Sequence, residues 1–265
     1  MKKKLNKKLF KNKTLFVFDL DGTLVRSKSV ADAEMIELLL RLLGKKQVAV
    51  IGGGKYELFK EQLVNRLPRK SACLSKLFLF PTSSTAFYRF IGGKWMCVYS
   101  HTLSVQERKK IRVAFARVFK EINYIHPSKT YGVLLEDRGT QMSFSPLGQE
   151  VVTRLGDEGI RLKEEWNKHD QRPKIMRALR KYIPKFEIRS GGLTTIDVTR
   201  KGIDKAYGIR QIEKTIGIKK KNMIFIGDAI FPGGNDYAVV RTGVDYIKVD
   251  NPEDTKKIIR AALKI

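Results

Sequence analysis

Two aspartates separated by one residue, Asp19 and Asp21, occur in the sequence DLDGTL at residues 19–24. One carboxylate of such a pair can ligate a cation and attack a phosphorus atom, while the other transfers protons. Asp and Gly are also typical of Asx turns and helix caps. The pair directly follows the apolar run at residues 15–18, however, and ligands of open parallel sheets bind at the carboxyl ends of the strands. This position favours phosphate chemistry over a simple turn.

A second acidic segment, GDAIFPGGND at residues 227–236, follows another short apolar run. Its Asp228, Asn235 and Asp236 carry the oxygen ligands that Mg²⁺ prefers, and one or two carboxylates suffice when a substrate phosphate is also bound. Taken alone, the segment is equally typical of a Gly/Pro/Asp turn. If its strand lies beside the strand before Asp19, the two motifs form one magnesium site, and this is our prediction.

A lysine and a glycine run supply positive charge and backbone donors. Lys205 occurs in the sequence Gly-Ile-Asp-Lys, and a lysine among carboxylates and phosphate balances negative charge and orients a nucleophile. Three glycines at residues 52–54 follow the apolar run 48–51 and precede a predicted helix, so their N–H groups can approach a phosphate. A bare glycine turn is the alternative for this run. Together with the acidic motifs, these residues predict a site for a phosphate ester.

The elements that position these residues alternate between strands and helices at both ends of the chain. Apolar runs of strand length alternate with helical periodicity up to about residue 67 and again from residue 202, which is typical of a parallel sheet. The middle contains a predicted hairpin near 87–99 and a long helix at 104–123, without regular βαβ alternation. We therefore predict an α/β fold whose parallel-sheet core carries an inserted α+β cap of antiparallel sheet and helices. The expected divisions are an arm at 1–13, a core at 14–86 and 197–265, and a cap at 87–196.

Composition limits the class of protein. The chain has 265 residues, with 53 Lys+Arg against 27 Asp+Glu and a formal net charge of +26, and its hydrophobic fraction of 42% excludes a disordered chain. The two cysteines, Cys73 and Cys97, form neither a disulfide framework nor a metal pattern, which favours a cytoplasmic protein. No apolar run approaches the roughly 18 residues of a membrane span, so we expect no membrane association.

Positive charge is concentrated at the beginning, where seven lysines lie in the first thirteen residues. We expect a solvated arm capable of weak, nonspecific polyanion binding. Basic clusters elsewhere, including those at residues 109–110 and 177–181, are consistent with either a solvated surface or a nucleic-acid footprint. No zinc-finger, helix-turn-helix or RNA-recognition motif accompanies them, and charge alone gives affinity for polyanions without specifying a function.

These motifs, in this order, resemble the haloacid dehalogenase (HAD) superfamily, type IIB. The resemblance is closest to eukaryotic-type phosphomannomutases, and it is carried by FDLDGTL at 18–24, GGGKYE at 52–57, EQL at 61–63, FSPLG at 144–148 and GDAIFPGGND at 227–236. It implies a Rossmann-like core, a β-sheet cap that closes over a sugar phosphate, and Mg²⁺ as cofactor. A homodimer formed through the cap is a further expectation.

The resemblance also implies roles for individual residues. Asp19 would be the nucleophile, Asp21 the general acid/base and Lys205 the charge-balancing lysine. The magnesium site would draw on Asp19, Asp21, Asp228, Asn235 and Asp236. The sugar phosphate would contact Gly53, Gly54, Arg138, Thr195 and Asp197.

The chain departs from the family pattern after Gly148, where Gln149 replaces an arginine that grips the distal phosphate. The next family arginine aligns only loosely, with Lys163 or Arg161, and the family's Glu-Asn-Gly segment is Thr-Ser-Ser at 82–84. Losing a bidentate anion clamp is costly for a mutase, which binds a bisphosphate in two orientations. We therefore expect a sugar-phosphate phosphohydrolase that works through an aspartyl-phosphate. A phosphomannomutase interconverting mannose 1-phosphate and mannose 6-phosphate is the alternative, followed by a non-enzymatic polyanion-binding protein.

Overall fold

The computed structural model describes residues 7–26, 29–68 and 71–265. The strands are β1 (Leu15–Phe18), β2 (Gln47–Ile51), β3 (Leu77–Phe80), β4 (Ala86–Ile91), β5 (Lys94–Ser100), β6 (Leu135–Asp137), β7 (Met142–Phe144), β8 (Phe186–Gly191), β9 (Thr195–Arg200), β10 (Met223–Gly227) and β11 (Asp245–Lys248). The helices are α1 (Ala33–Lys45), α2 (Tyr56–Gln62), α3 (Pro81–Ser84), α4 (Val105–Glu121), α5 (Val151–Leu155), α6 (Asp157–Lys168), α7 (Arg172–Tyr182), α8 (Lys205–Ile216), α9 (Tyr237–Val240) and α10 (Pro252–Leu263), with short 3₁₀ turns at Lys7–Phe10, Val64–Arg66, Ala72–Lys76 and Lys220–Asn222. Among the described helices, none is both long enough and apolar enough to cross a bilayer.

The first sheet determines where the acidic motifs lie. Within the described ranges it has seven strands in the order β11-β10-β1-β2-β3-β4-β5. The strands from β11 to β3 run parallel, and β4 pairs antiparallel with β3. Phe18 of β1 lies opposite Ile226 of β10 and Val50 of β2, so the carboxyl ends of these three strands lie side by side. Apart from the half-buried Gln47 that begins β2, the three strands are buried apolar runs, as expected for parallel strands covered on both faces.

The described residues divide into two compact units: unit 1, which comprises those up to residue 99 and 204–265, and unit 2, which comprises 100–203. The α/β fold with an inserted cap is confirmed, with divisions that differ from the expected ones. The hairpin β4–β5 belongs to the first sheet and not to the cap, because β4 pairs with β3 and the rings of Phe80 and Phe87 stack with centroids 4.4 Å apart. Residues 197–203 belong to unit 2, since β9 pairs along its whole length with β8.

Unit 2 is built on an antiparallel sheet. In this fully described stretch the sheet has four strands in the order β6-β7-β9-β8. Helices α4 and α7 pack on one face, where their apolar stripes meet Phe144 and Ile196. Side chains alternate across a strand, so Ser143 and Asp197 point to the opposite face. The two faces of this sheet therefore have separate roles, one apolar and structural, the other polar.

The segment expected as a basic arm is in part packed onto unit 1. Residues 1–6 lie outside the described residues. Phe10 is only 1% exposed, and burying such a ring gains about 2 kcal/mol. Lys13 is also buried, and its Nζ donates to Asp245 at 2.5 Å and to the carbonyl of Lys221 at 2.6 Å. The expectation of a solvated arm as far as residue 13 is wrong, because one phenylalanine among the lysines anchors the segment.

Candidate active site

Three carboxylates and one ammonium group meet at the carboxyl end of the parallel sheet in unit 1. Ligand oxygens of Asp19, Asp228 and Asp236 all lie within 4.8 Å of one another. The Nζ of Lys205 donates to Oδ1 of Asp19 and, at 2.5 Å, to Oδ1 of Asp236. The two acidic motifs lie together because β1 and β10 are parallel neighbours, so that the residues after each strand leave the sheet at the same edge.

Local sequence explains how these groups reach the cluster. Asp204 is the N-cap of α8, since its carboxylate accepts the Tyr207 N–H at 2.9 Å, and this cap places Lys205 at the first helical position. Gly22 has a φ of +85°, and a Cβ there would overlap the carboxylate of Asp228. Both the conformation and the close approach of the acidic motifs therefore require glycine after Asp21.

Burial controls protonation in this cluster. It raises the pKa of Asp19 well above its usual value, with Lys205 opposing the rise and Asp236 adding to it. Burial also raises the pKa of Asp228, to about 6, and the charge of Asp236 contributes. For Lys205, burial by itself lowers the pKa, but the carboxylates of Asp19 and Asp236 outweigh it and hold the pKa above its usual value. The ammonium is therefore charged at neutral pH.

The donor set fits a hard divalent cation. With all three carboxylates ionised, Lys205 neutralises one negative charge and two remain, which a divalent cation would compensate. A further oxygen in the same motif, Oδ1 of Asn235, is buried and has no hydrogen-bond partner among the described residues. The residues therefore fit Mg²⁺, and Asp19, Asp228 and Asp236 would hold it.

Asp21 lies outside this group of ligand oxygens, although it was expected among the metal ligands. Its Oδ1 accepts a hydrogen bond from Nε2 of Gln62 at 3.0 Å, and the same Nε2 donates to the carbonyl of Ser29 at 3.1 Å. Gln62 is 1% exposed and so fixes the orientation of the Asp21 carboxylate. The role of Gln62 was missed from sequence, because this residue is 41 residues from Asp21 and its only signal is its place in the EQL segment.

The glycine run follows β2, as the sequence predicts. The N–H of Thr82 donates to the carbonyl of Gly54 at 2.8 Å, which ties the run, including Gly53, to the segment after β3. Thr82, Ser83 and Ser84 have φ values of 48°, 55° and 74°. A left-handed conformation costs a residue with a Cβ about 1–2 kcal/mol, and such strain concentrates at binding sites. Contact of Gly53 and Gly54 with a substrate stays a prediction.

In unit 2, Gln149 fixes the expected substrate arginine. The Nε of Arg138 donates to Oε2 of Glu136 at 2.8 Å, and its Nη2 donates to Oε1 of Gln149 at 3.0 Å. Gln149 is itself 7% exposed, and its Nε2 donates to the carbonyl of Ser143 at 2.9 Å. The residue that replaces the family arginine thus binds the guanidinium of Arg138 through its neutral amide.

The other expected substrate residues of unit 2 are also held by hydrogen bonds within it. The hydroxyl of Ser143 donates to Oδ1 of Asp197 at 2.6 Å, and Oγ1 of Thr195 donates to a carbonyl of β8 at the same distance. Of the two cations that the sequence left open, Lys163 is buried and Arg161 is exposed. Ser143 received no role from the sequence, although its position on the same sheet face as Asp197 follows from strand alternation.

Magnesium affinity is expected to fall below pH 6. Because Asp228 in the metal-free protein has a pKa of about 6, a proton competes with Mg²⁺ at lower pH, and the apparent Kd should rise about tenfold per pH unit. Isothermal titration at pH 5 and pH 7.5 measures this change. The variant Asp228→Asn removes one titrating ligand and should bind weakly, with a smaller pH dependence that comes from Asp19, whose pKa is also raised by burial. An affinity of the native chain that is constant over this range would contradict the assignment.

A family model matches most of the chain. The family model for eukaryotic phosphomannomutase matches residues 35–265. The chain is 31% identical to the phosphomannomutase of Encephalitozoon cuniculi (strain GB-M1), over 95% of this chain and 94% of that protein. It is 30% identical to the phosphomannomutase of Saccharomyces cerevisiae, over 94% of each chain.

Solved structures with a similar fold include HAD-type phosphatases. The IMP-nucleotidase of Plasmodium falciparum matches with a TM-score of 0.70 and 17% identity, covering 98% of this chain and 72% of that one. The trehalose-6-phosphate phosphatase of Aspergillus fumigatus matches with a TM-score of 0.58 and 14% identity over the whole of both chains. These likenesses show the fold alone, whereas the family is shown by the sequence matches. The chain therefore belongs to the eukaryotic phosphomannomutase family of the HAD superfamily.

Proposed function

We propose that this chain is a phosphomannomutase that interconverts mannose 1-phosphate and mannose 6-phosphate. The observation that carries the proposal is the cluster after β1, in which Lys205 holds Asp19 among carboxylates suited to Mg²⁺. The proposal replaces the phosphohydrolase expected from Gln149, because relatives aligned over almost the whole chain are phosphomannomutases. Dimerisation through unit 2 and a cytoplasmic location stay predictions.

The proposed reaction begins at Asp19. Lys205 binds Oδ1 of this residue, so Oδ2 attacks the phosphorus of the ester in line with the leaving oxygen. The P–O bond to the sugar breaks as the bond to Asp19 forms, and Asp21, oriented by Gln62, donates a proton to the leaving oxygen. Mg²⁺ held by the three-carboxylate cluster would supply positive charge to the phosphoryl oxygens.

The aspartyl-phosphate then transfers its phosphoryl group to a hydroxyl of a sugar monophosphate. Asp21, now ionised, accepts the hydroxyl proton, and the product is a hexose bisphosphate. Return of the bisphosphate in the opposite orientation completes the isomerisation, which requires cations for the distal phosphate and exclusion of water. We assign the cationic role to Arg138 and Lys163 of unit 2, and contact with sugar hydroxyls to Thr195 and Asp197.

The test is incubation with mannose 1-phosphate and Mg²⁺, with and without a hexose 1,6-bisphosphate. Both mannose 6-phosphate and inorganic phosphate are measured. We expect mannose 6-phosphate to be the main product and its formation to depend on the bisphosphate, since only a phosphorylated enzyme can start the cycle. Inorganic phosphate without any isomer would overturn the proposal and establish hydrolysis.

A sugar-phosphate phosphohydrolase is the second candidate, and Gln149 favours it. A neutral amide in place of a guanidinium removes one charge-assisted phosphate contact, and such contacts contribute about 1.5–3 kcal/mol. If the phosphate of the acceptor is bound more weakly, the sugar monophosphate leaves the phosphorylated enzyme before it accepts the phosphoryl group, and water attacks the aspartyl-phosphate instead. The fate of this intermediate is therefore controlled by how well unit 2 holds the second phosphate.

Replacing Gln149 with Arg is expected to lower the KM for the hexose bisphosphate about 10- to 100-fold. It should also raise the ratio of isomer to released phosphate, because two neighbouring guanidinium groups, at 138 and 149, favour an anion between them. The matched control is Gln149→Glu, which has nearly the same size but sets a carboxylate against Arg138 and should raise the KM. An unchanged KM and product ratio in the Arg variant would show that position 149 does not contact the distal phosphate.

A further inference from the structure

The net positive charge of unit 2 lies on two helices. Residues 100–203 contain 21 lysines and arginines against 12 aspartates and glutamates, a net charge of +9. Helices α4 and α7 contain 11 of these basic residues and only two of the acidic ones, which also gives +9. The rest of unit 2 is balanced, with ten residues of each sign. For a solvated basic surface without a particular partner, we would expect the excess of positive charge to be spread over more than two elements.

The two helices form one continuous surface. They pack against each other and against the same face of the second sheet. The sides of the two helices that face away from the sheet therefore lie next to each other in solvent. Nine of their eleven basic side chains are exposed. On α4, Lys110 and Arg117 lie two turns apart on the same side of the helix, and on α7, Lys174, Arg177 and Lys181 recur at helical spacing. We call this the α4–α7 surface.

Acidic side chains neutralise little of this surface. Glu107 is committed to Arg200, outside the two helices, at 2.8 Å. Glu121 accepts the hydroxyl of Tyr182 at 2.7 Å and lies 4.0 Å from Lys181. Asp137 of β6 faces Arg108 and Arg112 at 3.5 and 3.2 Å. Most of the positive charge therefore faces solvent without an acidic partner on the neighbouring elements.

We propose that the α4–α7 surface binds the phosphate backbone of double-stranded nucleic acid. The 17-residue α4 is about 25 Å long, and a duplex presents one phosphate charge per about 1.7 Å of its axis, so several cations can be engaged at once. Across the two helices, all of whose residues are described, the exposed large apolar side chains are Val105, Val113 and Tyr182. Two valines offer too little apolar area for insertion into a bilayer. The single exposed aromatic side chain of these helices, Tyr182, is bound to Glu121, so the surface lacks a platform on which unpaired bases could stack.

This surface is separate from the expected substrate contacts. Asp197 and Ser143 point to the face of the sheet opposite the helices, so a bound duplex leaves that face of unit 2 uncovered. The proposal consequently does not depend on the proposed catalytic function. Loss of duplex binding and loss of phosphoryl transfer are expected from different substitutions.

The test measures binding of the full chain to fluorescent RNA and DNA duplexes of about 20 base pairs, over a range of salt concentrations. With about five phosphates contacted, the slope of log K against log salt should be about −4 to −5. The triple variant Lys110→Glu, Arg117→Glu, Arg177→Glu should weaken duplex binding about 100-fold or more and leave mannose phosphate turnover unchanged. None of these three side chains forms an ion pair in the described structure.

The matched control reverses three exposed lysines of unit 1, in the triple variant Lys214→Glu, Lys219→Glu, Lys221→Glu. It changes the net charge by the same amount and should weaken duplex binding less than about threefold. Equal losses in the two triple variants would overturn the proposal, since net charge alone would then explain binding. Tighter binding to single strands than to duplexes would also overturn it. A third contradicting result is that the first triple variant loses binding to phosphatidylserine vesicles but keeps binding to duplexes.

Discussion

Replacement of Asp19 by Asn is expected to reduce phosphoryl transfer roughly 10⁴-fold or more, because the amide cannot form the covalent intermediate. Two readouts measure this loss: Mg²⁺-dependent release of phosphate from an aryl phosphate, and conversion of mannose 1-phosphate. Both should fall together, since the mutase and the hydrolase share the first step and differ only in the acceptor. A preserved aryl phosphatase activity would place the nucleophile elsewhere.

The control for this variant is Asp21→Asn, which keeps the nucleophile and removes the proposed proton donor. It should transfer phosphate from an aryl phosphate with an acidic phenol as leaving group, which needs no proton, and should fail with the sugar phosphate. Folding of Asp19→Asn is checked by thermal unfolding. We expect no loss of stability, because Lys205 keeps its contact with Asp236 and the site has one buried carboxylate fewer.

The proximity of Asp19 and Asp228 was predictable from sequence, because both follow apolar runs of a parallel sheet. That prediction needed only one assumption, that β1 and β10 are neighbours, and the register bears it out. The sequence predicts that Lys205 lies among the carboxylates, but it does not predict how the side chain reaches them. That position depends on the capping of α8 by Asp204. Local sequence therefore gives the chemistry of this cluster, and strand order gives its assembly.

Three other features could not be predicted, because they depend on contacts that leave no periodic pattern in the sequence. The bond between Gln62 and Asp21 joins residues far apart in the chain, and a glutamine in an amphipathic helix is ordinarily a surface residue. The hairpin β4–β5 has the same alternation whether it belongs to core or cap, and only its pairing with β3 assigns it. Lys13 belongs to a lysine run by sequence, and its burial follows from the packing of Phe10 three residues earlier.

Replacement of Lys205 by Met is expected to lower the free energy of unfolding by about 3–5 kcal/mol in metal-free protein at neutral pH. Methionine keeps most of the volume of the side chain but leaves the buried carboxylates of Asp19 and Asp236 and the half-buried one of Asp228 without a counter-charge. The same change should reduce phosphoryl transfer roughly 10²- to 10³-fold, since the nucleophile loses the group that orients it. Denaturant unfolding and steady-state turnover measure the two effects separately.

The stability loss should depend on pH and on Mg²⁺ in a defined direction. The pKa of Asp228 is raised to about 6 by folding, so the native state binds more protons than the unfolded state between about pH 4 and pH 6, and its stability rises as pH falls through this range. Without Lys205 the carboxylates bind protons still more readily, and the deficit of the variant should shrink at pH 5. Saturating Mg²⁺ should restore part of the loss at pH 7.5 by supplying the missing charge.

Lys256→Met is the matched control, because Lys256 is also buried and also faces three carboxylates. Its partners Asp32, Glu34 and Glu253 have side chains 57%, 48% and 62% exposed, so water solvates them when the ammonium is removed. We expect a loss of about 1–2 kcal/mol, no response to Mg²⁺ and unchanged turnover. An equal loss in the two variants, or a deficit in Lys205→Met that Mg²⁺ leaves untouched, would mean that the cluster around Asp19 is not a cation site. We expect the carboxylates to be tolerated there because Lys205 and a divalent cation together offset their charge, and this pair of variants measures that dependence directly.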